Sequence, residues 1–134
     1  MIVDFHTHIF PPYVISRRDQ YVARDVTMAT LFSNPRSAMA TAEELLTVMD
    51  EAQVDVAVVM GMGWTDPQVA SEINEYLLES AARHPGRLVP FCSVNPAWGD
   101  AALQEIERCA RLGARGVGEL HPDNQGFDLA DGLV

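Results

Sequence analysis

The chain opens with Met1-Ile2-Val3-Asp4-Phe5-His6-Thr7-His8, and the reading of this stretch decides the fold. Ile2, Val3 and Phe5 are β-formers, so a strand is expected from the first residues. Side chains on a strand alternate, which puts His6 and His8 on one face. Two imidazoles about 6–7 Å apart along the backbone can converge on one cation. The strand stops at His-x-His and hands over to Pro11-Pro12. The imidazoles therefore sit at its C-terminal mouth, where parallel α/β folds keep their chemistry. Taken by spacing alone, two such histidines serve equally well as the polar rim of a core. The rest of the chain supplies the context.

The segment from Ile9 to Ala40 is long, polar at Arg17, Arg18, Asp19, Arg24 and Asp25, and carries apolar anchors such as Val14, Tyr21, Met28 and Phe32. A connection of this length in a compact domain is commonly a functional lid or a disordered piece, with room for short helices that the sequence does not place. Its position after the His-x-His strand makes it a lid-like insertion over residues 9–40. Thr41 and Glu44 then form a capping box, and Leu45, Val48, Met49 and Ala52 keep a helical period to about Gln53. Val54 to Met62 is an almost unbroken β-branched run, the pattern of a strand buried on both faces in a parallel sheet. Thr65 or Asp66 caps the next helix, with Pro67 at its first position, and His84-Pro85-Gly86 stops it. Leu88 to Asn95 is a third strand. A third helix, from about Asp100 to Leu112, is expected to bury Leu103, Ile106, Cys109 and Ala110. Ala114 to His121 reads as a fourth strand, ended by Pro122.

Strand and helix thus alternate throughout. Right-handed crossovers turn that order into parallel β/α units. No Gly-x-Gly-x-x-Gly follows the first strand and no phosphate loop appears, which disfavours the nucleotide-binding open sheets. Glu119 and His121 repeat the logic of His6 and His8 at the same end of the fourth strand. In a flat sheet the first and fourth strands would lie three spacings of ~4.8 Å apart, about 14 Å, too far to share an ion. A shared ion therefore requires the sheet to curl. The donor set His6, His8 and Glu119 suits Zn²⁺ or another divalent transition ion with an open position. Glu119 reads as well as an exposed carboxylate or a partner of Arg115, and His121 as a pocket-lining residue or a strand cap. Asp4 shares the histidine face and could accept from an imidazole or make a structural hydrogen bond. Asn95 and Trp64, at strand ends, are candidate substrate contacts or loop packing.

Composition bounds the partners. The 134 residues suit one domain, with 48% apolar and 21% charged residues. The net charge of −10 and the lack of any basic run argue against nucleic acid. No apolar run reaches the roughly 18–20 residues of a membrane helix, and no signal-peptide pattern opens the chain, so a cytoplasmic protein is expected. Cys92 and Cys109 lack metal-ligand spacing and read as buried reduced thiols.

Three stretches in order, Val3-Asp4-Phe5-His6-Thr7-His8, then Arg83-His84-Pro85-Gly86-Arg87 leading into Phe91-Cys92-Ser93-Val94-Asn95-Pro96, then Gly116-Val117-Gly118-Glu119-Leu120-His121-Pro122, resemble the amidohydrolase superfamily in the branch called amidohydrolase 2. The resemblance covers most of the chain outside about residues 11–40. It implies a TIM-like (β/α)₈ barrel, of which residues 1–134 would supply strands one to four, with metal at the C-terminal mouth and His6 and His8 as paired ligands. Many members of the branch carry Lys where this chain has Glu119, and deoxyribonuclease-like relatives carry a metal-binding carboxylate. One or two metal ions are both compatible with that departure. A whole barrel needs about 250 residues. The family's later histidine and its general acid/base aspartate are therefore expected beyond residue 134. The resemblance implies a metal-dependent hydrolase whose metal-activated water attacks an amide, ester or related bond of a small molecule. The alternatives are a metal-dependent decarboxylase of the same branch and an inactive half-barrel. A half-barrel exposes apolar surface, from which self-association is an expectation.

Overall fold

The computed structural model describes residues 1–130. Four parallel strands, β1 (Val3–Thr7), β2 (Val56–Val59), β3 (Leu88–Cys92) and β4 (Gly116–Val117), lie in the order β1-β2-β3-β4. That is the order of the first four strands of a TIM-like barrel, as expected from the alternating pattern. Residues 131–134, the end of the stretch assigned above to strands one to four of a barrel, lie outside the described residues.

The segment after β1 is helical. It holds α1 (Pro12–Ser16), α2 (Arg18–Val22) and α3 (Val26–Phe32). These are too short for a period to show in the sequence. Ile9, Phe10, Val14, Tyr21, Met28 and Phe32 all belong to the main buried core. The segment is therefore packed body, and α3 is held at its start by Asp25, whose Oδ1 accepts from Met28 N–H.

The crossover helices follow their sequence signals closely. In α4 (Ala42–Glu51) the Thr41–Glu44 capping box is formed in both directions. In α5 (Pro67–Arg83) Asp66 caps with Pro67 at the first position, and Val69, Ile73, Leu77 and Ala81 face the core. In α6 (Asp100–Arg111) the expected stripe is corrected. Ala102 and Cys109 are buried, whereas Leu103 and Ala110 are exposed. Leu103 instead borders an apolar groove with Val117 and Leu120. Both cysteines are free and buried.

The strands are shorter than their apolar runs. The largest difference is β4, which pairs over Gly116–Val117 alone where a strand to His121 was expected. Past Val117 the backbone leaves the ladder and crosses the ends of its neighbours. Gly118 N–H donates to Cys92 O at the end of β3, and Glu119 N–H donates to Gly61 O beyond β2. A short helix, α7 (Pro122–Gln125), follows.

Candidate metal centre

His6 enters from β1, and His8 follows just past its end. Between Asp4 and Thr7 the β1–β2 register slips by one residue, from Asp4↔Ala57 to Thr7↔Val59. Such irregularities re-aim side chains beside functional sites. The two rings stand edge to face with centroids 4.8 Å apart. Glu119 completes the group. Its Oε2 lies 3.0 Å from His6 Nε2 and 3.6 Å from His8 Nε2. One donor atom from each residue lies within 4.8 Å of the others. Crossing from β4 over β3 to Gly61 is what carries Glu119 across the gap that a flat sheet would leave.

The His8 ring is oriented. Its Nδ1 lies 3.0 Å from the Met60 carbonyl oxygen, an acceptor only, so Nδ1 carries the proton and Nε2 presents its lone pair to the site. A ligating histidine is commonly fixed in this way through its other nitrogen. Burial lowers the His8 pKa from 6.5, and the Met60 carbonyl and Glu119 only partly offset it, so the neutral ring is the resting form at neutral pH. His6 is the more open of the two, with its side chain 60% exposed against 18% for His8. Among the described residues no arginine pairs with Glu119, so its charge is left to the two imidazoles.

The other candidates lie elsewhere. Asp4 Oδ1 accepts from His6 N–H, a local backbone contact rather than a bond to an imidazole. His121 precedes α7, and its ring nitrogens are not part of the donor cluster. Trp64 is fully buried beside Phe10. Asn95 is buried, with Nδ2 donating to Gln125 O and Oδ1 accepting from Ala97 N–H. Neither Trp64 nor Asn95 faces open space. Met60 and Gln125 escaped the sequence reading. Met60 acts through its backbone, and Gln125 carries no local pattern. Asp25 enters the sequence reading only as a polar residue of the segment, although Asp25-Val26-Thr27-Met28 carries a helix-cap signal, and nothing local marks it as the acceptor of Thr65 and Asp66 N–H that ties α3 to the loop after β2.

The chain resembles solved structures at low identity. IDCase from Metarhizium anisopliae aligns with a TM-score of 0.70 and 20% identity over 98% of this chain and 45% of that one. A 5-carboxyvanillate decarboxylase from Novosphingobium aromaticivorans, solved with bound manganese, gives 0.68 and 18%, covering 87% of this chain and 41% of that one. A probable 2-pyrone-4,6-dicarboxylic acid hydrolase from Acinetobacter baumannii gives 0.54 and 14%, with coverages of 87% and 36%. This chain thus spans less than half the length of each. No curated protein sequence matches it. Among the described residues no helix is long and apolar enough to cross a membrane. The amidohydrolase family model matches residues 3–134, which takes in β1, its two histidines and Glu119, and the chain belongs to that family.

Proposed function

We propose that His6, His8 and Glu119 hold a divalent cation, and that the protein is a metal-dependent enzyme removing carbon dioxide from a small carboxylic acid. The observation that carries this reading is the convergence of three donors, with one imidazole already locked in the ligating tautomer. The residues fit an ion: two imidazole nitrogens, one carboxylate oxygen, and a side left open at His6. Two imidazoles and a carboxylate accept Zn²⁺ or Mn²⁺, and the neighbours solved with manganese favour the latter. When bound, the cation supplies a Lewis acid that polarises substrate oxygen.

This chain's residues do the rest. Glu119 provides the negative charge that retains the cation, and the Met60 carbonyl keeps His8 Nε2 pointed at it. The segment over residues 9–40, tied to the loop after β2 through Asp25 and through Thr27 Oγ1 to Gly63 O, forms a wall of the mouth and limits access to a small-molecule substrate.

Decarboxylation is favoured because several of the structural neighbours are decarboxylases of aromatic acids. Hydrolysis is the second reading, supported by the Acinetobacter neighbour. The test is product analysis. Manganese-loaded protein is incubated with a panel of hydroxybenzoates and of lactone carboxylates. Release of carbon dioxide supports the first reading, and ring opening without it the second. Loaded protein that turns over neither class counts against both.

A further inference from the structure

We infer that Gln125 is a positioning residue that sets Glu119 against the two imidazoles, an inference that rests on the metal reading above. Gln125 is buried, 4% exposed, and every polar group of its side chain is used. Nε2 donates to Trp64 O at 3.1 Å and to Val94 O at 3.0 Å, and Oε1 accepts from His121 N–H at 2.8 Å. Each partner comes from a different strand exit: Trp64 follows β2, Val94 follows β3, and His121 follows β4. One amide thus joins three loops at the C-terminal mouth.

Glu119 needs such support. β4 ends at Val117, and past it the bond of Gly118 N–H to Cys92 O is the last to β3. Glu119 is fastened on one side by its own N–H to Gly61 O. On the other side the next fixed point is His121, and Gln125 fixes it. There is no slack between the loops. A Cβ on Gly63, whose φ is +69°, would fall 2.6 Å from His121 N and 3.2 Å from Gln125 Oε1. Withdrawing the amide frees the His121 end, and the backbone that carries the Glu119 carboxylate is then held from its N-terminal side alone, at Gly118 and Glu119. A carboxylate or a thioether of the same length cannot donate to both carbonyls.

The experiment is a cycle read by Mn²⁺ titration calorimetry on wild type, Gln125→Met, Glu119→Ala and the double variant, with His6→Ala as the site control. Gln125→Met is expected to weaken Mn²⁺ binding about tenfold or more, the range typical of residues supporting a ligand. In the Glu119→Ala background the same change is expected to do nothing further, because its effect runs through that carboxylate. An equal loss in both backgrounds, or wild-type affinity in Gln125→Met, overturns the inference while leaving the metal site standing. Wild type that takes up no Mn²⁺, or takes it up unchanged in His6→Ala, overturns the metal reading itself and this inference with it. Where Glu119→Ala binds too weakly to compare, amide exchange in chelator decides. The Glu119 N–H must exchange faster in Gln125→Met while the β2–β3 amides keep wild-type protection, and unchanged Glu119 exchange refutes the assignment. If Gln125→Met does not fold, Gln125→Glu, which keeps the acceptor for His121, enters the same comparison.

Discussion

The Glu119 carboxylate reaches His6 Nε2 at 3.0 Å although His6 lies on one outer strand of the sheet and Glu119 follows the other, with β2 and β3 between those strands. The approach depends on the chain leaving β4 early and crossing to Gly61. An arrangement that brings a carboxylate to two imidazoles on a partly exposed rim contributes little to folding, since exposed ion pairs are worth about 0–1 kcal/mol.

Glu119→Ala should therefore separate binding from stability. In chelator its unfolding midpoint is expected to stay close to wild type. Divalent-ion affinity should fall by at least about tenfold, as expected for loss of a charged ligand. Equilibrium unfolding paired with metal titration checks both. A large loss of stability with unchanged affinity would reassign Glu119 to a structural role.

Trp64 behaves as core. It is fully buried, against Phe10 and near Gly61, where a Cβ would meet Trp64 Nε1 and Ser93 Cβ at 2.6 Å. Trp64→Ala is expected to cost about 3–5 kcal/mol of unfolding free energy, the usual range for emptying an aromatic core position. Gly61→Ala should destabilise too, by overpacking, at about 1–3 kcal/mol. Denaturant titration measures both. A stable Trp64→Ala protein would remove Trp64 from the core.

Asp25 is a tether between the helical segment and the mouth. Its two oxygens take the N–H groups of Met28, Thr65 and Asp66, and the residue is 2% exposed. Asp25→Ala leaves all three donors unmet, and a loss of about 2–4 kcal/mol is expected from a missing cap and orphaned amides. Amide exchange should show the effect concentrated at residues 26–32 and 65–66. Uniform destabilisation would argue against a local tether.

Glu105 sets part of the acid limb of stability. Burial raises its carboxyl pKa, but hydrogen bonds from Arg108 and Asn74 outweigh burial and hold it below the usual value near 4.5. A carboxyl depressed in the fold stabilises it above the unfolded-chain value, and that contribution is lost as pH falls through the folded value. The thermal midpoint of wild type is thus expected to drop below about pH 4.5, and Glu105→Gln should flatten that part of the curve. Parallel curves for the two proteins would show that other carboxylates dominate.

Much of the architecture was legible in the sequence because its signals were local and long. The Thr41–Glu44 box and the Asp66-Pro67 start marked helices that the structure reproduces. The unbroken apolar run around Val56–Val59 marked a parallel strand. What escaped was short or non-local. Helices α1 to α3 span five to seven residues each, too few for a period. The end of β4 at Val117 is set by hydrogen bonds to Cys92 and Gly61, which no neighbouring residue announces. The exposure of Leu103 depends on what lies across α6, not on its place in the helical stripe. At the site, the histidine pair could be named from spacing, whereas the Met60 carbonyl and the Gln125 amide become visible only once the strand exits are assembled.

The most direct test of the central claim is an anomalous-difference map from crystals of the protein soaked in Mn²⁺. The account predicts one strong peak bounded by His6 Nε2, His8 Nε2 and a Glu119 carboxylate oxygen, and its disappearance in His8→Ala crystals. A map with no peak there, or with manganese bound only at surface carboxylates, would contradict it.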